Sequence, residues 1–164
     1  MILMVRLDER MIHGQVAIKF SRHTSAERII VANDEAAGNE LIQKSLMMAA
    51  PATCKTAIKT VKDSIELLKD PRCEALRIMV IVNSPQDLLE VVTEVSDIPL
   101  INIGNYGRIA PKQVGKTRKT YGINFYAYDE EVEIFKKILA TGIDCIYQTL
   151  PEDAPVNVKN ILGL

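Results

Sequence analysis

The stretch Val-Arg-Leu-Asp-Glu-Arg-Met-Ile-His-Gly-Gln-Val, residues 5 to 16, gathers two arginines (Arg6, Arg10), two acids (Asp8, Glu9) and one histidine (His13). A neutral imidazole is nucleophilic near neutral pH because its unperturbed pKa is about 6.5. It can take a phosphoryl group on one ring nitrogen and pass it on. Phosphoryl transfer asks a protein mainly for positioning and charge stabilisation. Arg6 and Arg10 would offer forked donors to the phosphoryl oxygens, each charge-assisted bond contributing about 1.5–3 kcal/mol. The N–H groups of Gly14 and Gln15, opening a helix, would add up to about 2 kcal/mol through the helix dipole. Gly14 has no side chain, so a partner's reacting group can approach closely. Asp8 would orient the imidazole or Arg10. An imidazole attacking a phosphoryl group needs neither a separate acid or base nor a metal, and the sequence offers no cluster of metal ligands and no cofactor motif.

The elements around this stretch are those that place a ligand at a sheet edge. Met1 to Leu7 reads as a short buried strand, and a helix is predicted from about Gly14. In an open α/β sheet, ligands collect outside the carboxyl ends of the strands, where helix N-termini present free N–H groups. Further strands are predicted at Arg28–Ala32, Thr53–Ile58, Leu76–Val82, Pro99–Ile103, Ile123–Tyr128 and Ile143–Gln148. Helices are predicted at Glu35–Met48, Thr60–Lys69, from Ser84-Pro85 onward, and at Asp129–Ala140; Pro151 onward is a tail. This alternation predicts an α/β fold: an open, mostly parallel sheet with helices on both faces and an antiparallel strand toward the C-terminal end. The segment from Gly104 to Gly122 is rich in glycine and basic residues and reads as a long loop.

Arg-Leu-Asp-Glu-Arg-Met-Ile-His-Gly-Gln-Val at 6 to 16 closely resembles the signature of the enzyme IIB component of sugar phosphotransferase systems, in the mannose/fructose/sorbose family. Similarity continues at Val-Ala-Asn-Asp-Glu (31–35), Asn-Ile-Gly-Asn (102–105) and Gly-Ile-Asp-Cys-Ile-Tyr-Gln-Thr-Leu-Pro (142–151). One departure is Phe20, near where the family usually has tryptophan; it bears on the packing of the first helix. The resemblance implies that His13 is phosphorylated on Nδ1. It implies a IIA component as phosphohistidine donor, and as final acceptor a sugar bound by the membrane-embedded IIC and IID components. A cytoplasmic protein, peripherally associated with that permease, is the corresponding location.

Size and composition fit this reading. The chain has 164 residues, enough for one domain spanning 1–164 that buries roughly two-thirds of its unfolded surface. A net charge of −1 gives no support to nucleic-acid binding. No apolar run approaches the roughly 20 residues that span a bilayer, and Arg6 and the acids interrupt the apolar start too soon for a signal peptide. Cys54, Cys73 and Cys145 are widely spaced and read as buried free thiols.

Each candidate residue also has a plainer reading. A lone histidine in such a turn is, without its motif, a capping or packing residue, and His23 reads as a solvated helix-end residue. Arg6 and Arg10 can pair with Asp8 and Glu9 on the surface, worth roughly 0–1 kcal/mol. Asn33 and Asp34 either cap the second helix or shape the site, and Ser84 is either an N-cap or a phosphoryl ligand. Gly104-Asn105-Tyr106 would line the site's edge. The basic residues Arg108 to Lys119 are a solvated loop or a docking surface for an acidic partner. Two other functions compete. A nucleotide-binding regulatory module is opposed by the lack of Gly-x-Gly-x-x-Gly and of a P-loop in the first turn. A small acid/base enzyme using Asp8, Glu9 and His13 requires a deep pocket.

Overall fold

The structure is a computed structural model and describes residues 1–164. Strands β1 (Ile2–Leu7), β2 (Arg28–Ala32), β3 (Lys55–Lys59), β4 (Ile78–Val82), β5 (Ile101–Ile103), β8 (Cys145–Tyr147) and β9 (Val156–Asn157) form one sheet. Its order is β3-β2-β4-β1-β5-β8-β9; all pairs are parallel except β8 with β9. Strands β6 (Lys119–Gly122) and β7 (Phe125–Ala127) make a separate antiparallel pair. The helices are α1 (Val16–Thr24), α2 (Asp34–Ala37), α3 (Glu40–Ala49), α4 (Val61–Leu68), α5 (Pro85–Glu94), α6 (Asp129–Leu139) and α7 (Val158–Ile161).

The central strands are apolar on both faces because helices cover both. In β2 and β4, Ile30, Ala32, Ile78, Val80 and Val82 face the larger core, with α4, α5 and α6, through Ile65, Leu88, Val92 and Phe135. Ile29, Val31, Met79 and Ile81 face the smaller core, where Ala17 and Phe20 of α1 and Leu46 of α3 pack. The alternation of side chains in a strand produces this division.

The parallel order creates the crevice that matters. Strand β1 pairs with β4, Leu7 opposite Val82, and the Asp8 N–H donates to the Val82 carbonyl at 2.9 Å. The chain leaving β1 goes to the face covered by α1, and the chain leaving β4 goes to the opposite face under α5. Ligands of open parallel sheets sit at such a switch point.

Three details differ from the sequence expectation. The helix expected over Glu35–Met48 is two helices, broken at Gly38-Asn39, where the Asn39 side chain accepts from the N–H groups of Leu41 and Ile42 and starts α3. The expected loop 104–122 ends in a strand, because Lys119–Gly122 pairs with Phe125–Ala127. The expected tail contributes β9 and α7, and Val158 is fully buried. The three cysteines are free and buried, and burial pushes the Cys145 thiol up to about 12. No helix is long and apolar enough to cross a membrane.

Candidate active site

The turn after β1 is built on two buried carboxylates with different tasks. Strand alternation puts Arg6 and Asp8 on the same face, under α1. The Asp8 side chain is fully buried, and its Oδ2 accepts from Arg6 Nη2 at 3.1 Å, His13 Nε2 at 2.9 Å and Asn105 Nδ2 at 2.9 Å. Its Oδ1 accepts from the Arg10 N–H at 3.1 Å. Burial pushes the Asp8 carboxyl up, but the hydrogen bond from His13, the charges of Arg6 and His13 and the Asn105 amide outweigh it, and the net shift is down. Asp8 is therefore held as a carboxylate.

That carboxylate fixes the imidazole. With Nε2 donating to Asp8, the neutral ring keeps its proton on Nε2 and carries its lone pair on Nδ1, which makes no hydrogen bond within the chain. The His13 side chain is 15% exposed, so the ring is largely buried with one part open to solvent. Two left-handed residues bracket this turn, Met11 (φ 60°) and Gly14 (φ 49°). For Met11 that conformation costs on the order of 1 kcal/mol, and the hydrogen bonds around Asp8 hold it in place. The Gly14 position has open space where a Cβ would stand, so its backbone is free for a close approach.

Helix α1 opens without a side-chain cap: Gln15 is its N-cap and makes no capping bond. The N–H groups of Gly14, Gln15, Ala17 and Ile18 find no acceptor in the chain. Free donors and the positive end of the dipole thus lie next to His13. Arg10 is exposed, and its guanidinium has no hydrogen-bond or ion-pair partner.

Arg6 is placed differently from the expectation that it would grip a phosphoryl group. Its side chain is 2% exposed, and its terminal nitrogens donate to Asn102 Oδ1, to the Gln148 carbonyl (3.1 Å), to Asp8 and to the Thr149 carbonyl (3.1 Å). Its guanidinium lies 4.3 Å from the centroid of the Phe20 ring. Burial lowers the Arg6 pKa, and Asp8 works against that shift. The departure at Phe20 therefore reaches beyond the packing of α1: this ring supports the cation behind Asp8.

The sequence reading also missed Glu9, which is buried rather than paired on the surface. Its Oε1 accepts from the N–H groups of Gly107, Ile109 and Ala110 and its Oε2 from Arg108, all at 3.0–3.1 Å. Glu9 thereby fastens the loop after β5 to the turn that carries His13. Asn33, Asp34 and Ser84 stand outside the Asp8 network. The Asn33 side chain accepts from the Ala36 N–H and donates to Asn83, Asp34 accepts from the Val61 N–H, and Ser84 accepts from the Asp87 N–H. All three hold helix starts. Asn33 and Ser84 also line a cavity of about 700 Å³ beside Glu9 and Met11, which has Tyr106 on its wall. His23 is exposed in the last turn of α1.

Comparison with known proteins identifies the family and the fold. Residues 2–164 match the family described as the sorbose subfamily IIB component of the PTS system. The chain belongs to that family. It is 37% identical to a probable phosphotransferase enzyme IIB component of Streptococcus pyogenes serotype M6, covering 99% of this chain and 100% of that one. It is 26% identical to the sorbose-specific EIIB component of Klebsiella pneumoniae, over 96% and 92% of the two chains. The crystal structure of the IIBSor domain of the Klebsiella pneumoniae sorbose permease has the same fold, with a TM-score of 0.88 at 23% identity, covering 99% of this chain and 96% of that one. The protein is thus a phosphocarrier component of a sugar phosphotransferase system. Nothing in these comparisons supports the nucleotide-binding alternative.

Proposed function

We propose that His13 is the residue that carries the phosphoryl group, and that Nδ1 is the atom that bonds it. The observation behind this reading is the 2.9 Å contact from Nε2 to Asp8, which leaves Nδ1 as the free nucleophile. In the transfer, the Nδ1 lone pair attacks the phosphorus of a phosphohistidine on the donor. The donor's P–N bond breaks as the new one forms, and the donor imidazole leaves with its electron pair. His13 keeps its Nε2 proton and becomes formally cationic, and the Asp8 carboxylate balances that charge. Delivery to a sugar hydroxyl reverses the roles: the oxygen attacks phosphorus, the P–Nδ1 bond breaks with its electron pair returning to Nδ1, the hydroxyl proton leaves to solvent, and the ring, keeping its Nε2 proton, returns to neutral.

Arg10 and the free N–H groups of Gly14 and Gln15 bind the phosphoryl oxygens. Arg6 acts through Asp8, as a positioning residue. Asn33, Asp34 and Ser84 fix the helices around the crevice. The donor is a IIA component. A relative whose name joins the two components, the mannose-specific EIIAB component of Escherichia coli K12, is 28% identical over 98% of this chain and 48% of its own length. The acceptor sugar is held by membrane IIC and IID components. Residues 1–164 act as one domain in the cytoplasm, peripherally associated with that permease.

The test is intact-protein mass after mixing with phosphorylated IIA component. One added phosphoryl group is expected on the wild type and none on His13→Ala. Uptake by the variant would move the site elsewhere.

A further inference from the structure

We infer that the loop between β5 and β6 is the docking surface for the phosphoryl donor protein, and that it receives an acidic, partly apolar face of that donor. This rests on the phosphocarrier reading above. The loop is fixed at both ends rather than left loose. At its start the Glu9 carboxylate holds the N–H groups of residues 107 to 110. At its end Arg118 pairs with buried Glu131 (Nε to Oε1, 2.8 Å) and donates to the carbonyls of Ala110 (3.1 Å) and Pro111 (2.7 Å). Between these anchors the Gln113 N–H donates to the Tyr128 hydroxyl at 2.9 Å.

A backbone held this firmly nonetheless turns apolar side chains outward. Ile109 is 65% exposed and Val114 fully so. Beside them is a groove of about 480 Å³ lined by Arg108, Lys112, Lys116, Arg118, Tyr126 and Tyr128, with no acidic residue among its walls. Lys116 and Arg118 are neutralised by Glu130 and Glu131. Arg108 donates only to uncharged oxygens, the Ile123 carbonyl and the Tyr126 hydroxyl, and Lys112 has no partner. Two cations are thus uncompensated on a chain whose net charge is −1.

Position decides the occupant. The loop opens at Asn105, whose amide shares Asp8 Oδ2 with His13, and its Ile109 and Lys112 line one cavity with Met11 of the His13 turn, so a protein that reaches Nδ1 lies alongside it. A specific interface covers roughly 800 Å² on each partner, far more than one imidazole and its turn. A carboxylate entering the groove meets Arg108 and Lys112, and aliphatic contacts to Ile109 and Val114 exclude water around it. An anionic membrane fits less well. A flat bilayer leaves a concave groove unfilled, and each cation near it gains on the order of fivefold in binding, too little from two.

The experiment measures binding of the IIA component by titration calorimetry, and transfer from its phosphorylated form, for wild type, Lys112→Glu, Val114→Asp and the double variant. In the double variant, Kd and the KM for the donor are expected to rise about tenfold or more with kcat held, and the salt dependence of binding to weaken. Phosphorylation of His13 by phosphoramidate, a donor too small to use the loop, is expected to match the wild type, which also shows that the variant is folded. Unchanged Kd and KM overturn the docking surface while leaving His13 as carrier. A raised Kd with no phosphoryl group on wild-type His13 keeps the docking surface and removes the carrier assignment. Loss of sedimentation with phosphatidylserine-containing vesicles, with Kd for the IIA component unchanged, gives the surface to the membrane instead and overturns the proposal.

Discussion

Two turns lie side by side at the carboxyl edge of the sheet, one after β1 and one after β4. After β4 the chain needs only Asn83 and Ser84 before α5 begins. Ser84 caps the helix through the Asp87 N–H at 3.1 Å, and Pro85 occupies its first turn. After β1 the chain spends residues 8 to 15, puts Met11 and Gly14 in the left-handed region, and starts α1 with no cap. The first arrangement satisfies its own helix end, while the second leaves donors unsatisfied and buries two carboxylates to hold the turn. A turn that closes its helix adds stability. One that leaves it open stays available to a charged visitor.

The contrast can be broken most severely at Asp8. Asp8→Asn replaces the acceptor that fixes the ring, so the Nε2–H tautomer is no longer enforced. Single-turnover phosphorylation is expected to slow by a factor of up to about ten thousand, the loss that a wrong tautomer produces in other histidine chemistry. Nitrogen NMR of the ring is expected to show protonation moving toward Nδ1. Because the folded-state pKa of Asp8 lies below its ordinary value, its contribution to stability is present at neutral pH and is lost as pH falls below about 4. The gap in unfolding free energy between wild type and Asp8→Asn is expected to shrink over that interval, as read by urea denaturation.

Arg6→Ala leaves the buried Asp8 charge without its fixed cation, and a loss of about 3–5 kcal/mol in unfolding free energy is expected. A midpoint close to the wild type would mean that Arg6 is dispensable for the turn. Arg10→Ala separates the roles of the two arginines. With its side chain exposed and unpaired, the denaturation midpoint is expected to hold while the transfer rate falls by about ten- to a hundredfold, the loss of one charge-assisted contact. The smallest effect belongs to the neighbouring turn. Ser84→Ala is expected to cost about 1 kcal/mol of stability with the transfer rate unchanged; a slowed rate would show that this hydroxyl reaches the reacting group.

The sequence made the second turn far easier to read than the first. Ser84-Pro85 follows a local rule, a capping hydroxyl and a residue preset for the first helical position, and β4 announces itself by five consecutive apolar residues. The link from Asp8 to His13 depends on a backbone path through Met11 and Gly14 that no periodicity encodes. The partners of Glu9 lie about a hundred residues away and offer only their backbone N–H groups, so side-chain identity carried no trace of them. One signal was available: Arg6 and Asp8, two apart on a strand, must share a face, and α1 has to cover it. The split of α2 from α3 was likewise written in Gly38-Asn39, where the apolar spacing of Ile42 and Leu46 concealed it.

Gly104 lies against the guanidinium of Arg6, so closely that a Cβ there would overlap Nη2. Residue 104 is not bonded to the imidazole, yet adding one methyl group to it would push Arg6 aside, release Asp8 and leave the ring misaimed. The accuracy of a reaction at the surface is thus set at the bottom of a column of four residues, where the clearance is smaller than a single carbon atom.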